Sequence, residues 1–310
     1  MEHFYSLNDW AKEHFRYKLY KLALDGGMTC PNRDGSLDTR GCIFCSKEGS
    51  GDFASKSKSI TKQLQEAKEK IQKKTNATHF IAYFQSFTNT YAPVSYLRKI
   101  YTEAMSDEQV DILSIATRPD CLDEEVMELL IEMNKIKPVW IELGLQTIHE
   151  KTAEYIRRGY PLHVYDEAIA KLKKSNIKVI THMIVGLPGE TKEDMINTAR
   201  YIAKTNTFGI KIQLLHVLEG TDLLEDYQNG VFKALEFDEY IDILFDILRV
   251  LPPDMVVHRI TGDGPKKILR APLWSANKRM VLNTIRHEMK VCELKQGSNF
   301  EPSSKPSYDF

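Results

Sequence analysis

Short apolar runs alternate with amphipathic, helix-length stretches from the N-terminus to about residue 222. Leu7, Trp10, Phe15 and Leu19 recur at roughly helical spacing, which predicts an N-terminal helix or cap over 7–19 whose aromatics serve packing. The largely apolar run Lys21–Leu24 predicts a first strand, and 59–74 a helix with Ser59 at its N-cap. Strand Phe80–Gln85 precedes helix Pro93–Met105. Strand Asp111–Ala116 precedes helix Asp123–Met133, whose acidic first turn suits the positive end of a helix dipole. Strand Val139–Gln146 is followed by helices across 148–175, strand Val179–Val185 by helix Lys192–Thr205, and Ile210–Val217 is the sixth strand.

Six strand–helix units predict parallel strands joined by crossover helices. An open doubly wound sheet and a curved partial barrel both satisfy that pattern. Polar or glycine residues close every strand at its C-terminal end, where α/β folds gather their chemistry, and this regularity favours the barrel arc. After residue 222 the pattern changes. An amphipathic helix over Phe237–Leu251 is broken by Pro252-Pro253, and Val256–Ile260 is a candidate further strand. The expected organisation is a cap (1–20), an α/β partial (β/α)6 TIM-like barrel (21–222), a C-terminal extension (223–294) and a Ser- and Pro-rich disordered tail (295–310).

The candidate chemistry lies just after the first strand, in Asp25-Gly26-Gly27-Met28-Thr29-Cys30-Pro31-Asn32-Arg33-Asp34-Gly35 and Arg40-Gly41-Cys42-Ile43-Phe44-Cys45. Cys42 and Cys45, two residues apart, can face one metal centre, and the Asp34-Gly35 turn signal lets the chain bring Cys30 back toward them. Three thiolates are one short of the four protein ligands that close a structural zinc site or an iron–sulfur cube. Either the fourth ligand comes from elsewhere, with His3, His14 and His79 as candidates for zinc, or one metal position stays open to bind something else.

Composition narrows this further. The chain has 310 residues, 42% hydrophobic and 27% charged, an ordinary globular balance. No apolar run approaches the roughly 20 residues that span a bilayer, and the first residues lack the basic leader and apolar core of a secretory signal. Five cysteines, three of them clustered, do not make a disulfide framework, so a reducing cytoplasm is expected, with no membrane partner. The formal net charge is -1, which advertises no global attraction to nucleic acid. Locally the balance differs: between 258 and 290, Arg259, Lys266, Lys267, Arg270, Lys278, Arg279, Arg286 and Lys290 stand against Asp263 and Glu288, eight minus two, or +6. Such a stretch is either a solvated face or a phosphate-contacting surface.

The cysteine stretch, the repeated units and Gly186-Leu187-Pro188-Gly189-Glu190-Thr191 together resemble the radical S-adenosylmethionine (SAM) superfamily. The usual gaps between its cysteines are three residues, then two; here they are eleven, then two. The long first gap resembles the branch containing the Elongator catalytic subunit, whose members act on wobble uridines of tRNA. Gly27-Met28-Thr29-Cys30-Pro31-Asn32-Arg33-Asp34-Gly35 is similar to a bacterial subgroup of that branch, which includes the tRNA aminomethyluridine-forming enzyme.

The resemblance implies a [4Fe-4S] cluster on Cys30, Cys42 and Cys45. It also implies SAM chelated at the open iron and cleaved to a 5'-deoxyadenosyl radical, a low-potential electron donor, and tRNA as substrate through a basic surface comprising Arg259, Lys266, Lys267, Arg270, Lys278 and Arg279. Where the superfamily often has Gly-Gly-Glu after the second strand, this chain has Gln85-Ser86-Phe87, so Gln85 and Ser86 are the candidates for the SAM amine. Arg158 of Arg157-Arg158-Gly159 would meet the SAM carboxylate, and Gly186, Leu187 and Gly189 would border the adenine. Glu142 lies in an apolar strand and requires a partner, either a bound cofactor or a buried arginine. Gln146 shares its face by the strand period of two and is a candidate ribose contact. His182 and His216 read as core histidines, and Cys121 and Cys292 as incidental thiols. Two alternatives stand beside this reading: the same chemistry on a small molecule or peptide, and a non-catalytic zinc-stabilised RNA-binding module.

Overall fold

The computed structural model describes residues 3–47, 49, 54–55, 57–262 and 264–302. Met1 and Glu2 of the expected cap, Asp263 of the basic stretch, and 303–310 of the expected tail lie outside the described residues. The strands are β1 (Tyr20–Leu24), β2 (Phe80–Phe84), β3 (Val110–Thr117), β4 (Val139–Gln146), β5 (Lys178–Val185), β6 (Gly209–Leu214), β7 (Val217–Leu218), β8 (Val256–Arg259) and β9 (Leu269–Ala271). The helices are α1 (Leu7–Phe15), α2 (Ile60–Gln72), α3 (Val94–Met105), α4 (Glu124–Asn134), α5 (Glu150–Tyr155), α6 (Leu162–Lys174), α7 (Lys192–Lys204), α8 (Asp222–Gln228), α9 (Phe237–Val250) and α10 (Lys278–Val291).

The sheet runs β1-β2-β3-β4-β5-β6-β8, and β7 pairs with β9 separately. The expected α/β partial barrel is therefore present, with a seventh strand. That strand comes from residues assigned to the extension: the buried valines 256 and 257 pair β8 in parallel with β6, Gly209 opposite Val256. The expected sixth strand, Ile210–Val217, is two pieces. Leu215 donates its amide to the Val185 carbonyl at 2.9 Å, and Val217–Leu218 turns to pair antiparallel with β9. The alternation Ile210-Lys211-Ile212-Gln213-Leu214 slips by one at Leu214-Leu215, and the break falls there.

The chain divides into two compact units. One comprises Asn8–Gly144 and Arg157–Ile180; the other holds the residues through Leu7, Leu145–Ile156 and everything from Thr181. In the first unit β1–β4 are parallel and nearly in register. Ala23 lies opposite Tyr83, Tyr83 opposite Ser114, and Ser114 opposite Trp140. Alternation then puts Lys21, Gln85, Ala116 and Glu142 on the same face as these four. The other face, with Leu24, Phe84, Ile115 and Ile141, is buried and largely apolar, with Thr117 at its end. Trp10 of α1 packs edge-on against Trp140, ring centroids 5.2 Å apart, while the Lys178 ammonium lies 4.7 Å over its ring, so the N-terminal aromatics do serve packing. Caps delimit the helices where the sequence suggested. Ser59 accepts from the Lys62 amide at α2, and Asp123 from the Val126 amide at α4.

In the second unit Thr191 and Asp194 form a capping box at the start of α7. Residues 296–300, within the expected disordered tail, make backbone hydrogen bonds, although most of 295–302 is exposed. Gln296 is buried, accepts from the Tyr5 amide at 2.8 Å and donates to the carbonyls of Pro252 (2.6 Å) and Met255 (2.9 Å). A glutamine that satisfies three backbone groups anchors this stretch despite its polar composition.

Candidate active site

The cysteine loop leaves β1 through a backbone clamp. The buried Gln63 of α2 accepts from the Asp25 amide (2.8 Å) and donates to the Asp25 carbonyl (2.8 Å), and Tyr96 of α3 donates to the Gly26 carbonyl (2.8 Å). The expected turn is present: Asp34 Oδ1 accepts from the Ser36 amide at 3.0 Å, and the Leu37 amide returns to the Pro31 carbonyl at 2.9 Å. Arg33 then staples the two arms. Its Nη2 donates to the carbonyls of Cys45 (3.0 Å) and Ser46 (2.6 Å), drawing the Cys30 arm onto the Cys42–Cys45 turn, and its guanidinium lies 5.5 Å over the Phe87 ring.

Asn32 docks this loop on the segment after α5. Its Nδ2 donates to the Arg157 carbonyl at 2.7 Å and approaches Cys42 Sγ at 3.5 Å. Gly159 makes the docking possible. It has φ +81°, and a Cβ there would lie 2.6 Å from Asn32 Oδ1. Arg118, at the end of β3, grips Asp120 through Nε (2.9 Å) and Nη2 (2.7 Å), donates to the Arg158 carbonyl at 3.0 Å and stacks over Tyr160. Burial opposes its charge; Asp120, with help from Cys30, outweighs that and holds the guanidinium protonated.

The thiols are tuned by the same neighbourhood. Burial first, then the adjacent Cys45, push the Cys42 thiol up to about 12, with Cys30 adding to the rise and Arg118 and Asn32 opposing it. A buried Cys42 thiol ionises more readily beside a cation, which is what iron would supply. Among the described residues no three His, Cys, Asp or Glu side chains converge on a single-ion site; a cubane asks for a wider set, because each thiolate takes its own iron. Thiols are the donors an iron–sulfur cluster takes, so the donor set is of the right chemistry for one. The histidines weighed as zinc ligands each make a contact through Nδ1. His14 binds the Trp10 carbonyl (2.9 Å), His79 pairs with Asp111 (3.1 Å) and stacks on Tyr17, and His3 binds the Leu294 carbonyl (3.0 Å).

Gln85 follows β2, its amide bonded to the Leu24 carbonyl at 3.1 Å. Ser86 is buried, and its hydroxyl has no hydrogen-bond partner among the described residues. A buried, unanswered hydroxyl beside the cysteine loop is what a ligand contact leaves when the ligand is absent. Glu142 departs from the cofactor expectation. Lys21 Nζ (2.6 Å) and Ser114 Oγ (2.8 Å) both donate to its Oε1, so the protein itself supplies the cation. Arg158 is nearly fully buried, with Nε donating to the Tyr160 carbonyl at 2.9 Å and its guanidinium 4.8 Å over the Tyr160 ring. Beside the loop a cleft of about 650 Å³ opens, lined by Leu37, Tyr91, Asp120 and Cys121 among others. Burial, then Asp120, raise the Cys121 thiol to about 12.

In the second unit, Gln146 ends β4 with φ +65°, and the Thr147 amide reaches the Leu145 carbonyl at 2.8 Å across it. This tight, strained γ-turn ends the alternation, so the period of two does not fix the direction of the Gln146 side chain. Gly186 (φ +91°) and Gly189 (φ +83°) turn the chain between β5 and α7, with Leu187 buried between them. Glu190 accepts from Thr147 Oγ1 at 2.5 Å, and burial raises its carboxyl above the usual range. His182 lies 3.3 Å from Gln213 Nε2, and the His216 ring packs against Gly262. Of the basic residues, Lys266, Lys267, Arg270, Lys278 and Arg279 are exposed and Arg259 is half-buried; Arg270 pairs with Glu219. Sequence reasoning missed Asn32, Arg33, Arg118 and Lys21 as members of the site. The first two lie in the string that carries the resemblance, and a lone lysine in an apolar strand was a usable signal for the last.

A parallel α/β sheet carries three cysteines on the loop after its first strand, and the comparisons give the class of protein this arrangement belongs to. The Radical SAM superfamily is matched over residues 39–202, and the Radical SAM C-terminal domain over 207–291. The chain belongs to the radical SAM superfamily and is a radical SAM enzyme related to the Elp3 tRNA-modification enzymes, which overturns the non-catalytic alternative. It is similar to the uncharacterized protein YtqA of Bacillus subtilis, 44% identical over 96% of this chain and 93% of that protein. It is also similar to the tRNA uridine(34) acetyltransferase of Methanocaldococcus jannaschii, 31% identical over 51% of this chain and 29% of that one. The solved Elp3 of Methanocaldococcus infernus, lacking residues 1–46, shares the fold at TM-score 0.69 and 18% identity, over 90% of this chain and 64% of that one. Among the described residues no helix is long and apolar enough to cross a membrane.

Proposed function

We propose that this chain modifies tRNA at the wobble uridine, converting a carboxymethylaminomethyl side chain to aminomethyl. The observation that carries the reading is the cysteine loop. Its eleven-residue first gap is closed by Arg33 and Asn32, in a chain similar to an enzyme named for uridine 34, the wobble position.

When bound, the cluster and SAM supply one-electron chemistry that makes an unactivated carbon reactive. Cys30, Cys42 and Cys45 would hold the cluster, leaving one iron for SAM. Arg33 and Asn32 fix the loop; Gln85, Ser86, Gln146, Arg158 and the 186–189 turn are the SAM contacts in this reading. A low-potential electron donor is the further partner.

The basic stretch supports an RNA substrate. α10 opens with Lys278 and Arg279 and has no acidic residue in its first turn. Cations at a helix N-terminus oppose the dipole by about 0.3–1 kcal/mol, a cost that a bound phosphate removes. Exposed Lys266 and Lys267 extend the same sign.

The test is wobble-nucleoside mass spectrometry in cells with and without the gene. Loss of the gene should accumulate the carboxymethylaminomethyl nucleoside; an unchanged profile sinks the reading and leaves a small molecule or peptide as substrate. Replacing Lys266 and Lys267 with alanine should make the log–log salt dependence of tRNA binding shallower by about two if each meets a phosphate.

A further inference from the structure

Folding breaks the basic stretch into parts that are not equivalent. Arg270 is taken by Glu219, and Arg259 is half-buried. α10 is where the remaining cations align. Arg279, Arg286 and Lys290 are all exposed. At about 100° of turn per residue they fall within about 40° of one another around the helix, and the exposed Asn283 lies beside them. The side carrying Val281, Ile285 and Met289 is buried and faces away. A rise of about 1.5 Å per residue makes the row about 16 Å long. Glu288, the one carboxylate of α10, lies about half a turn round from it. None of the three basic side chains has a hydrogen bond or ion pair among the described residues. The arginines on the other helices are answered: Arg98 by Glu132, Arg200 by Glu193 and Arg249 by Asp246. The chain holds 42 basic residues against 43 acidic ones, so carboxylates are not scarce, yet none is set against this row. Arg286 and Lys290, four apart, repel each other along the helix. Such a row works against the free protein and is relieved by a polyanion, which distinguishes it from an ordinary solvated face of mixed charge.

We propose that this face of α10 is a phosphate rail that docks tRNA by its backbone, with Arg279, Arg286 and Lys290 as the contacts. This rests on the tRNA reading and deepens it. Guanidinium forks match phosphate oxygens, and Lys290 adds a point charge at the end of the row. Phosphate contacts set orientation and affinity but carry no sequence information. The rail therefore binds any tRNA alike and leaves the choice of nucleoside to other residues.

The test uses the reconstituted full-length enzyme and the triple variant R279Q/R286Q/K290Q. Glutamine keeps a helix propensity close to that of arginine and lysine, so the helix should persist, and thermal unfolding checks it. K62Q/K73Q/K74Q removes three exposed charges from the other compact unit and controls for net charge. The rail variant should bind tRNA about tenfold or more weakly at low salt, with a log–log salt dependence shallower by about two to three, as the loss of three phosphate contacts implies. The loss should be equal on a tRNA bearing the carboxymethylaminomethyl nucleoside and on one without it. KM for tRNA should rise while kcat and SAM binding hold.

A rail variant with wild-type affinity and salt slope overturns the proposal, as does an equal loss in the charge control. A loss confined to one tRNA also overturns it, because the row would then read sequence. So does polyglutamate that displaces tRNA as well as unlabelled tRNA does at matched charge, which assigns the face to an acidic protein. Wild-type enzyme that binds no tRNA, together with an unchanged nucleoside profile on loss of the gene, brings down the substrate reading and the proposal together. A rail variant that binds like wild type, while the nucleosides still depend on the gene, brings down the proposal alone.

Discussion

Replacing Gly159 with alanine tests how the cysteine loop is docked. At φ +81°, any L-residue here bears a left-handed strain of about 1–2 kcal/mol. The new methyl would also lie 2.6 Å from Asn32 Oδ1, and Asn32 is buried. To make room, Asn32 must leave the Arg157 carbonyl it holds at 2.7 Å, and a buried amide without a partner costs about 1–3 kcal/mol. Gly159→Ala should therefore lose about 2–5 kcal/mol. Gly220 is the internal control. Its φ is +74° but nothing lies within 4 Å of an added Cβ, so Gly220→Ala bears strain alone, about 1–2 kcal/mol. Urea unfolding of both variants reads the difference, and iron per chain after anaerobic reconstitution reads the docking. The expected result is a gap of about 1–3 kcal/mol between the two variants at unchanged m, with reduced iron only in Gly159→Ala. Equal losses, or full iron in a destabilised Gly159→Ala, would refute the argument that this glycine seats the loop through Asn32.

Gln146→Gly suits the left-handed backbone while removing the side chain. Stability should hold within about 1 kcal/mol, as relief of strain offsets the entropy of glycine, while SAM affinity falls in equilibrium dialysis; unchanged affinity removes Gln146 from the site. Glu190→Gln keeps the acceptor for Thr147 but cannot ionise. Because burial raises the Glu190 carboxyl, the native state resists its ionisation. Wild-type stability should be undiminished below the ordinary carboxylate range and fall as pH rises through the raised value. The variant should match wild type near pH 4 and exceed it near pH 7 in thermal unfolding; a variant less stable than wild type at neutral pH contradicts the sign.

Most of the sheet was legible because parallel strands buried on both sides read as continuous apolar runs, as at Val139–Gln146. Where it was not legible, a competing interaction decided. β8, read as a candidate strand of the extension, joins the main sheet beside β6, and the Ile210–Val217 run divides where β9, more than fifty positions later, pairs antiparallel with Val217 and Leu218. Composition misjudged 296–300 for a related reason: one glutamine satisfying three distant backbone groups outweighs a polar local sequence.

The site divides along the same line. Its redox chemistry is local, with three cysteines on one loop whose turn and staple are encoded within that loop, so it could be read from neighbouring letters. The polar cluster on the sheet is assembled across strands. Glu142 could be recognised as a carboxylate in need of a partner, yet Lys21 lies 121 positions away and Ser114 lies 28 away. Only strand register brings them together, and register shows no trace in local composition.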